Sequence, residues 1–340
     1  VPRITIKDVA SAAEVSVATV SAVVNEADWV SSPTRDRVQV VIDRMGYRPN
    51  RLARSLKTNR ADAVGVIVSD LTNPYFTEVV RGLQHGLREQ GRSLLLADTD
   101  HRFELGSSQL RLLLDKQVDG LILIGDSVPE DVLAAHLQRR GSVPIVAVER
   151  TYPLDGISSI VVDSERAGYE ATRHLIGRGY RRIAHITGPE SGGGSTTHGR
   201  LPRIAGYRRA LTEAGLPVED GLVAAGNWRI DGGDEAMRQL LALSERPDAV
   251  FCANDMMAFG AMRAARAAGL TLPDDLGLVG FDDVPAAELV DPALTTMMMP
   301  KAALGQSAAD LLDSLLRTPE AVHRQFEAEL VVRASSPPRP

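Results

Sequence analysis

From Ala63 onward, short apolar runs alternate with longer stretches of mixed polarity. The runs are AVGVIV, SLLLA, GLILIG and PIVAV, followed by SIVV, RIAHIT, GLVAAG, DAVFCA and LGLVGF. Strands separated by helical stretches predict parallel sheets with helices on both faces. The runs are too many for one six-stranded sheet, so two similar halves, roughly 61–162 and 163–295, are expected. A last helix, about 301–317, and a strand in FEAELVV should return across the junction.

The first 60 residues follow a helical period instead. Thr5 with Asp8 three residues on has capping-box spacing, and Val9, Ala10 and Ala13 form an apolar face. Glu14-Val15 marks a tight break, after which Ser16 caps SVATVSAVVN. Val20, Val23 and Val24 share its inner side, while Val17, Ala18, Ser21, Ala22 and Asn25 fall on the other. In a third helix Ser32 caps, Pro33 opens and Gly46 ends, with Val38, Val41, Ile42 and Met45 inside. Three short helices with a close turn between the first two make a helix-turn-helix. So small a bundle cannot bury both sides of its middle helix, so the Ala/Ser side faces water or a partner. Small side chains there suit deep seating in a DNA major groove, with methyl groups meeting thymine methyls.

Charge sharpens this picture. Residues 1–60 hold ten Lys/Arg against six Asp/Glu, while the whole chain of 340 residues carries a net charge of -6. A basic head on an acidic body points to separate partners. YRPNRLARSLKTNR adds a short helix from Asn50 to about Lys57, too short to stand alone in water and charged to suit phosphates. Cys252 is the only cysteine, which excludes an internal disulfide and fits a reducing cytoplasm. No secretory pattern and no apolar run long enough for a membrane span is seen, so a cytoplasmic protein without a membrane partner is expected.

TIKDVASAAEVSVATVSAVVN, VSSPTRDRVQVVIDRMGYRPNRLARSL, ANDMM and GFDD occur in the order seen in the lactose-repressor/galactose-repressor (LacI/GalR) family, and the chain resembles it over nearly its whole length. The resemblance implies an all-α helix-turn-helix head. It also implies an α/β body of two doubly wound parallel-sheet subdomains of the periplasmic-binding-protein type I kind. The organisation it implies is a DNA-binding domain at 1–48, a hinge helix and linker at 49–60, and an effector-binding and dimerisation domain at 61–334. The first subdomain would be about 61–162 plus 300–325, the second about 163–299 plus 326–334, with a tail at 335–340. The tail lacks a heptad pattern, so a homodimer rather than a tetramer is expected.

The resemblance places DNA contacts at Thr5, Ser16, Val17, Ala18, Thr19, Ser21, Ala22, Asn25, Ser31, Thr34, Tyr47, Asn50, Ala53, Arg54, Leu56 and Lys57. Leu56 matches a minor-groove leucine wedge at the centre of a palindromic double-stranded operator. Many relatives carry Arg or another hydrogen-bonding residue at Ala22. Its loss removes a guanine contact worth about 1–3 kcal/mol of discrimination, shifting the reading to Ser16, Thr19, Ser21, Asn25 and the hinge. In the body, strand ends are rich in Asp, Asn, Arg and aromatics, the make-up of a carbohydrate site. The resemblance assigns the effector to Asn73, Tyr75, Phe76, Asp100, His101, Glu149, Arg150, Arg203, Trp228, Asn254, Asp282 and Met299. Met299 stands where relatives often have glutamine, making the pocket locally more apolar.

Two rival classes fit the sequence less well. An enzyme finds no support: GPESGGGST fits neither phosphate-loop nor dinucleotide spacing, G-x-S-x-G and H-E-x-x-H are missing, and the seven His are scattered. No metal or cofactor is expected. A sugar-transport receptor would share the body fold but not the basic head. A repressor of carbohydrate-utilisation genes, released by a small sugar-like effector, is the expected function, with a corepressor or non-sugar effector as the alternative.

Overall fold

The computed structural model describes residues 4–25, 27–47, 61–139, 141–189 and 197–339. The chain divides into a unit at Val1–Ala61 and a unit at Asp62–Pro340. Asn50, Ala53, Arg54, Leu56 and Lys57, with the hinge helix expected for them, lie outside the described residues.

The head holds α1 (Ile6–Ala12), α2 (Val17–Val24) and α3 (Ser32–Met45). Asp8 Oδ2 accepts from Thr5 N at 2.8 Å and from Thr5 Oγ1 at 2.7 Å, tying the first turn of α1. Glu14, at φ 52°, turns the chain, and Ser16 Oγ accepts from Thr19 N at 3.0 Å to start α2. Ser31, not Ser32, is the cap of α3, because Ser31 keeps extended backbone and Ser32 is already helical. Gly46 ends α3 in left-handed backbone, φ 62°. Val9, Ala10, Ala13, Val20, Val23, Val30, Val38 and Val41 fill the core. Ala22 belongs to that core too and is only 8 % exposed, contrary to its expected place on the reading surface. After α2 the chain folds back, Ala27 N donating to Ala22 O at 2.9 Å, and Val30 packs into the same cluster.

The first half of the body comprises β1 (Ala63–Val68), α4 (Pro74–Glu89), β2 (Ser93–Asp98), α5 (Phe103–Asp115), β3 (Gly120–Ile124), α6 (Glu130–Leu137), β4 (Ile145–Val148) and β5 (Ile157–Val162). The second comprises α7 (Ser164–Gly177), β6 (Ile183–Thr187), α8 (Thr197–Glu213), β7 (Val223–Ala225), α9 (Ile230–Leu241), β8 (Ala249–Cys252), α10 (Asp255–Ala267), β9 (Gly277–Asp282), α11 (Ala286–Leu289) and β10 (Thr295–Met298). Then come α12 (Lys301–Leu315), β11 (His323–Phe326) and β12 (Glu329–Val331). The strands form two sheets, ordered β11-β5-β4-β3-β1-β2 and β12-β10-β9-β8-β6-β7. All neighbours are parallel except β10 and β12.

Three features were not anticipated. TTMM forms β10; its polar Thr295 and Thr296 are fully buried, with Thr296 Oγ1 donating to Asp255 at 2.6 Å and Thr295 Oγ1 to Arg333 O at 3.1 Å. FEAELVV is not one strand: Phe326 ends β11 in the first sheet and Glu329 begins β12 in the second. Residues 335–339 do not form a free tail. Ser335 and Ser336 are fully buried; Ser335 Oγ accepts from Thr295 N at 2.8 Å and donates to Leu278 O at 2.7 Å. Arg339 N donates to Arg178 O at 2.7 Å. Among the described residues, no helix is long and apolar enough to cross a membrane.

Candidate functional site

The carboxyl ends of the two sheets supply the polar residues. Asp100 and His101 follow β2, Glu149 follows β4, Trp228 follows β7, and Asp282 and Asp283 close β9; all six have left-handed backbone, φ between 51° and 117°. Non-glycine residues hold such backbone only where their surroundings over-determine it, as ligand sites do.

Arg203 lies near the centre, on α8. That helix sits close to α7 because Gly206 has no side chain: a Cβ there would fall 2.0 Å from Glu165 O. The Arg203 guanidinium carbon is 3.9 Å from the Phe281 ring centroid and 5.8 Å from that of Trp228. The side chain is 5 % exposed and its Nε has no hydrogen-bond partner among the described residues. A buried donor without a partner is costly, so this is where a polar ligand gains most.

Carboxyls surround that guanidinium. Desolvation raises the pKa of Glu149 against the pull of Arg203 and of the Tyr75 hydroxyl. Desolvation and then the neighbouring Asp255 push Asp282 well above the usual range, against Arg203 and Lys301. Asp255 is pushed up to about 7 by desolvation, although it accepts from Thr296 Oγ1 at 2.6 Å and Val284 N at 2.9 Å. Lys301 directs its ammonium at two backbone carbonyls, those of Asp282 and Asp283, each at 2.7 Å. The result is a desolvated, hydroxyl-compatible surface with the buried Arg203 guanidinium and an aromatic wall.

The wall is fixed by Asn254 and Gly188. Asn254 caps α10, its Oδ1 accepting from Met257 N at 2.8 Å, and its Nδ2 donates to Trp228 O at 2.9 Å. A Cβ at Gly188 would fall 2.0 Å from the indole of Trp228, so the ring rests directly on that backbone. On the other side, Asn73 caps α4 by accepting from Tyr75 N at 3.0 Å, and Tyr75 meets Phe76 edge to face at 5.2 Å. His101 stands 6.5 Å from the Phe76 ring and 3.6 Å from Asp70.

Two of the expected residues have partners that the sequence did not show. Arg150 is 1 % exposed; its Nη1 pairs with Asp126 and it lies 4.1 Å over the Tyr152 ring, while its Nε and Nη2 have no hydrogen-bond partner among the described residues. Met299, 1 % exposed, packs in the main core with Tyr75 and Phe281. Asp100 is brought in through Arg229, which also reaches Asp70. Asp70, Arg229, Asp255 and Lys301 were missed from sequence. The available signal was position: Asp70 and Arg229 stand in the strand-end segments, and Asp255 is the aspartate of ANDMM. Among the described residues, no group of three or more His, Cys, Asp or Glu is arranged to hold a metal ion.

On the head, Thr5, Ser16, Val17, Ala18, Asn25 and Ser31 are exposed, and Thr19, Ser21, Thr34 and Tyr47 are half-buried. Val17 leaves 42 % of its surface bare, a methyl-rich start to α2.

Residues 5–50 match the bacterial regulatory proteins of the lacI family, and residues 61–329 match the periplasmic binding proteins and sugar binding domain of the LacI family. The chain belongs to the LacI family. The ribose operon repressor of Escherichia coli (strain K12) is 40 % identical over 309 residues, which are 91 % of this chain and 92 % of the relative. The Lac repressor dimer, solved bound to operator and the anti-inducer ONPF, is 28 % identical, with a TM-score of 0.84 over 99 % of this chain and 100 % of the other. The transcriptional regulator CelR in its cellobiose complex is 34 % identical, with a TM-score of 0.72 over 98 % of this chain and 100 % of that one. As a LacI-family member the chain is a DNA-binding transcriptional repressor: the head is its DNA-reading domain and the body its effector-binding domain.

Proposed function

We propose that this repressor binds a palindromic operator as a homodimer in the cytoplasm and is released by a small, neutral, sugar-like effector seated between the two sheets. Arg203 carries this reading: a guanidinium 5 % exposed, with an unpartnered Nε, facing Trp228 and the carboxyls of Glu149 and Asp282. Hydroxyls satisfy such groups as donors and acceptors, and an aromatic face takes the apolar face of a sugar ring. An anionic effector would add charge to a desolvated site that already holds the carboxyls of Glu149 and Asp282 beside Arg203, so phosphorylated sugars fit poorly. The chain acts by binding and conformational linkage, without catalysis. The effector and the operator alter each other's affinity by the same factor. The similarity to a ribose operon repressor makes pentoses the first effectors to examine.

Leu289, 83 % exposed, and Leu96 and Leu112, 41 % and 50 % exposed, offer apolar surface for a second copy. The experiment is a thermal-shift screen of pentoses, hexoses, disaccharides and sugar phosphates, followed by operator gel shifts with each hit. A neutral sugar should raise the melting temperature and weaken the operator complex. Stabilisation only by charged or non-carbohydrate compounds would refute the reading.

A further inference from the structure

Arg229 belongs to the second half of the body and pairs with two carboxylates of the first. Its Nε lies 3.5 Å from Asp70 Oδ2, and its Nη2 hydrogen-bonds Asp100. Both ends are held in place. Asp70 accepts from Thr72 N at 2.8 Å and Thr72 Oγ1 at 2.6 Å, and Arg229 N donates to Asn227 Oδ1 at 3.0 Å. The residue before it is Trp228, whose carbonyl Asn254 holds. One turn therefore presents both the stacking ring and the bridging guanidinium.

The bridge lies at the rim of the cleft. Arg229 and Asp100 side chains are 41 % and 45 % exposed, whereas Arg203, Asn254 and Asp282 are no more than 5 % exposed. A cavity of about 400 Å³ borders it, lined by Asp70, Thr72, Asn73, Trp228 and Met256. In the sugar reading above, a ring stacked on Trp228 and bonded to the more deeply buried Arg203 and Asp282 would lie inside this rim. A second ring attached to it would have to cross the Arg229–Asp100 contact.

We propose that Arg229 is a clasp that holds the cleft shut over the effector and so limits the effector to monosaccharide size. The size limit rests on the sugar reading above; the clasp does not. Arg229 acts as a positioning residue, through closure.

The test uses the full chain carrying Trp29→Phe, which leaves Trp228 as the single tryptophan, since the sequence has 2. Acrylamide quenching of Trp228 reports how open the cleft is. Arg229→Gln should raise the quenching constant about two-fold, and about 1 M NaCl should do the same to the parent, because a rim ion pair is screened by salt. Arg229→Lys should restore most of the protection. Quenching that ignores both the substitution and the salt overturns the clasp. Titration calorimetry with D-ribose and cellobiose then tests size. The preference for ribose should fall by about ten-fold in Arg229→Gln. An unchanged preference overturns the size limit. If the parent binds neither sugar, the sugar reading and the size limit fail together, and the quenching result still decides the clasp.

Discussion

Asn254 and Trp228 are joined by one hydrogen bond: the Asn254 Nδ2 donates to the Trp228 carbonyl at 2.9 Å, while the same side chain caps α10. One amide thus starts a helix and sets the angle of the stacking ring. Losing the cap alone costs about 1 kcal/mol. Asn254→Ala should lower stability by about 1–3 kcal/mol, since Trp228 O also loses its donor. It should also remove the effector response while leaving operator binding intact. Gly188→Ala, which puts a Cβ where the indole lies, should reproduce the second effect. Urea unfolding and effector-dependent gel shifts measure both; a full effector response in the two variants would show that the ring's position does not matter.

The buried position of Ala22 reverses a sequence expectation and makes a contrast with Ala18, which is exposed. Ala22→Leu overpacks the head core and should cost about 1–3 kcal/mol, seen as a lower melting temperature and weaker binding to every DNA sequence. Ala18→Arg should leave the head folded and change base preference at one position per half-site, as read by operator selection. A changed base preference with normal stability in Ala22→Leu would show that position 22 reads DNA after all.

The C-terminal residues strap the second sheet. Ser335→Ala leaves Thr295 N without its acceptor and Leu278 O without one of its donors inside the core. Each lost partner costs about 1–3 kcal/mol. Truncation after Arg333 also removes the hydrogen bond from Ser336 Oγ to Thr295 Oγ1 and the Arg339 N–Arg178 O bond, and should be the more damaging change. Denaturant midpoints equal to those of the intact chain would mean the strap contributes nothing.

Asp255 gives a pH dependence of defined sign. Its carboxyl is pushed from an ordinary 3.8 up to about 7, so the folded state binds the proton more tightly than the unfolded state. Its contribution is fully present below pH 3.8 and is lost as pH rises towards about 7. The slope for one proton is at most about 1.4 kcal/mol per pH unit. Stability measured by urea should therefore fall less between pH 5 and 8 in Asp255→Asn than in the parent, in buffers of equal ionic strength. Identical slopes would remove Asp255 as their source.

Much of the site was legible because parallel-sheet topology brings strand-end residues such as Trp228, Asn254 and Asp282 to one edge of the sheets, whereas Arg203, on α8, was assigned through the family resemblance alone. The pairing of Arg150 with Asp126 was not legible, because the two stand far apart in the chain and meet only in the fold. Asp70 and Arg229 were missed because their significance is a pairing between positions far apart in the chain.

Most elements, the helix-turn-helix head, the two α/β halves and the family follow from the amino-acid sequence, because periodicity, capping residues and strand-end motifs are local. The structure also holds features that local pattern does not encode. The buried threonines of β10, the C-terminal strap and the Arg229 bridge depend on residues distant in sequence meeting in space, and Ala22 is buried by the packing of the three head helices and Val30 around it. The threonines and the strap are stabilised by satisfying polar groups that packing removes from water.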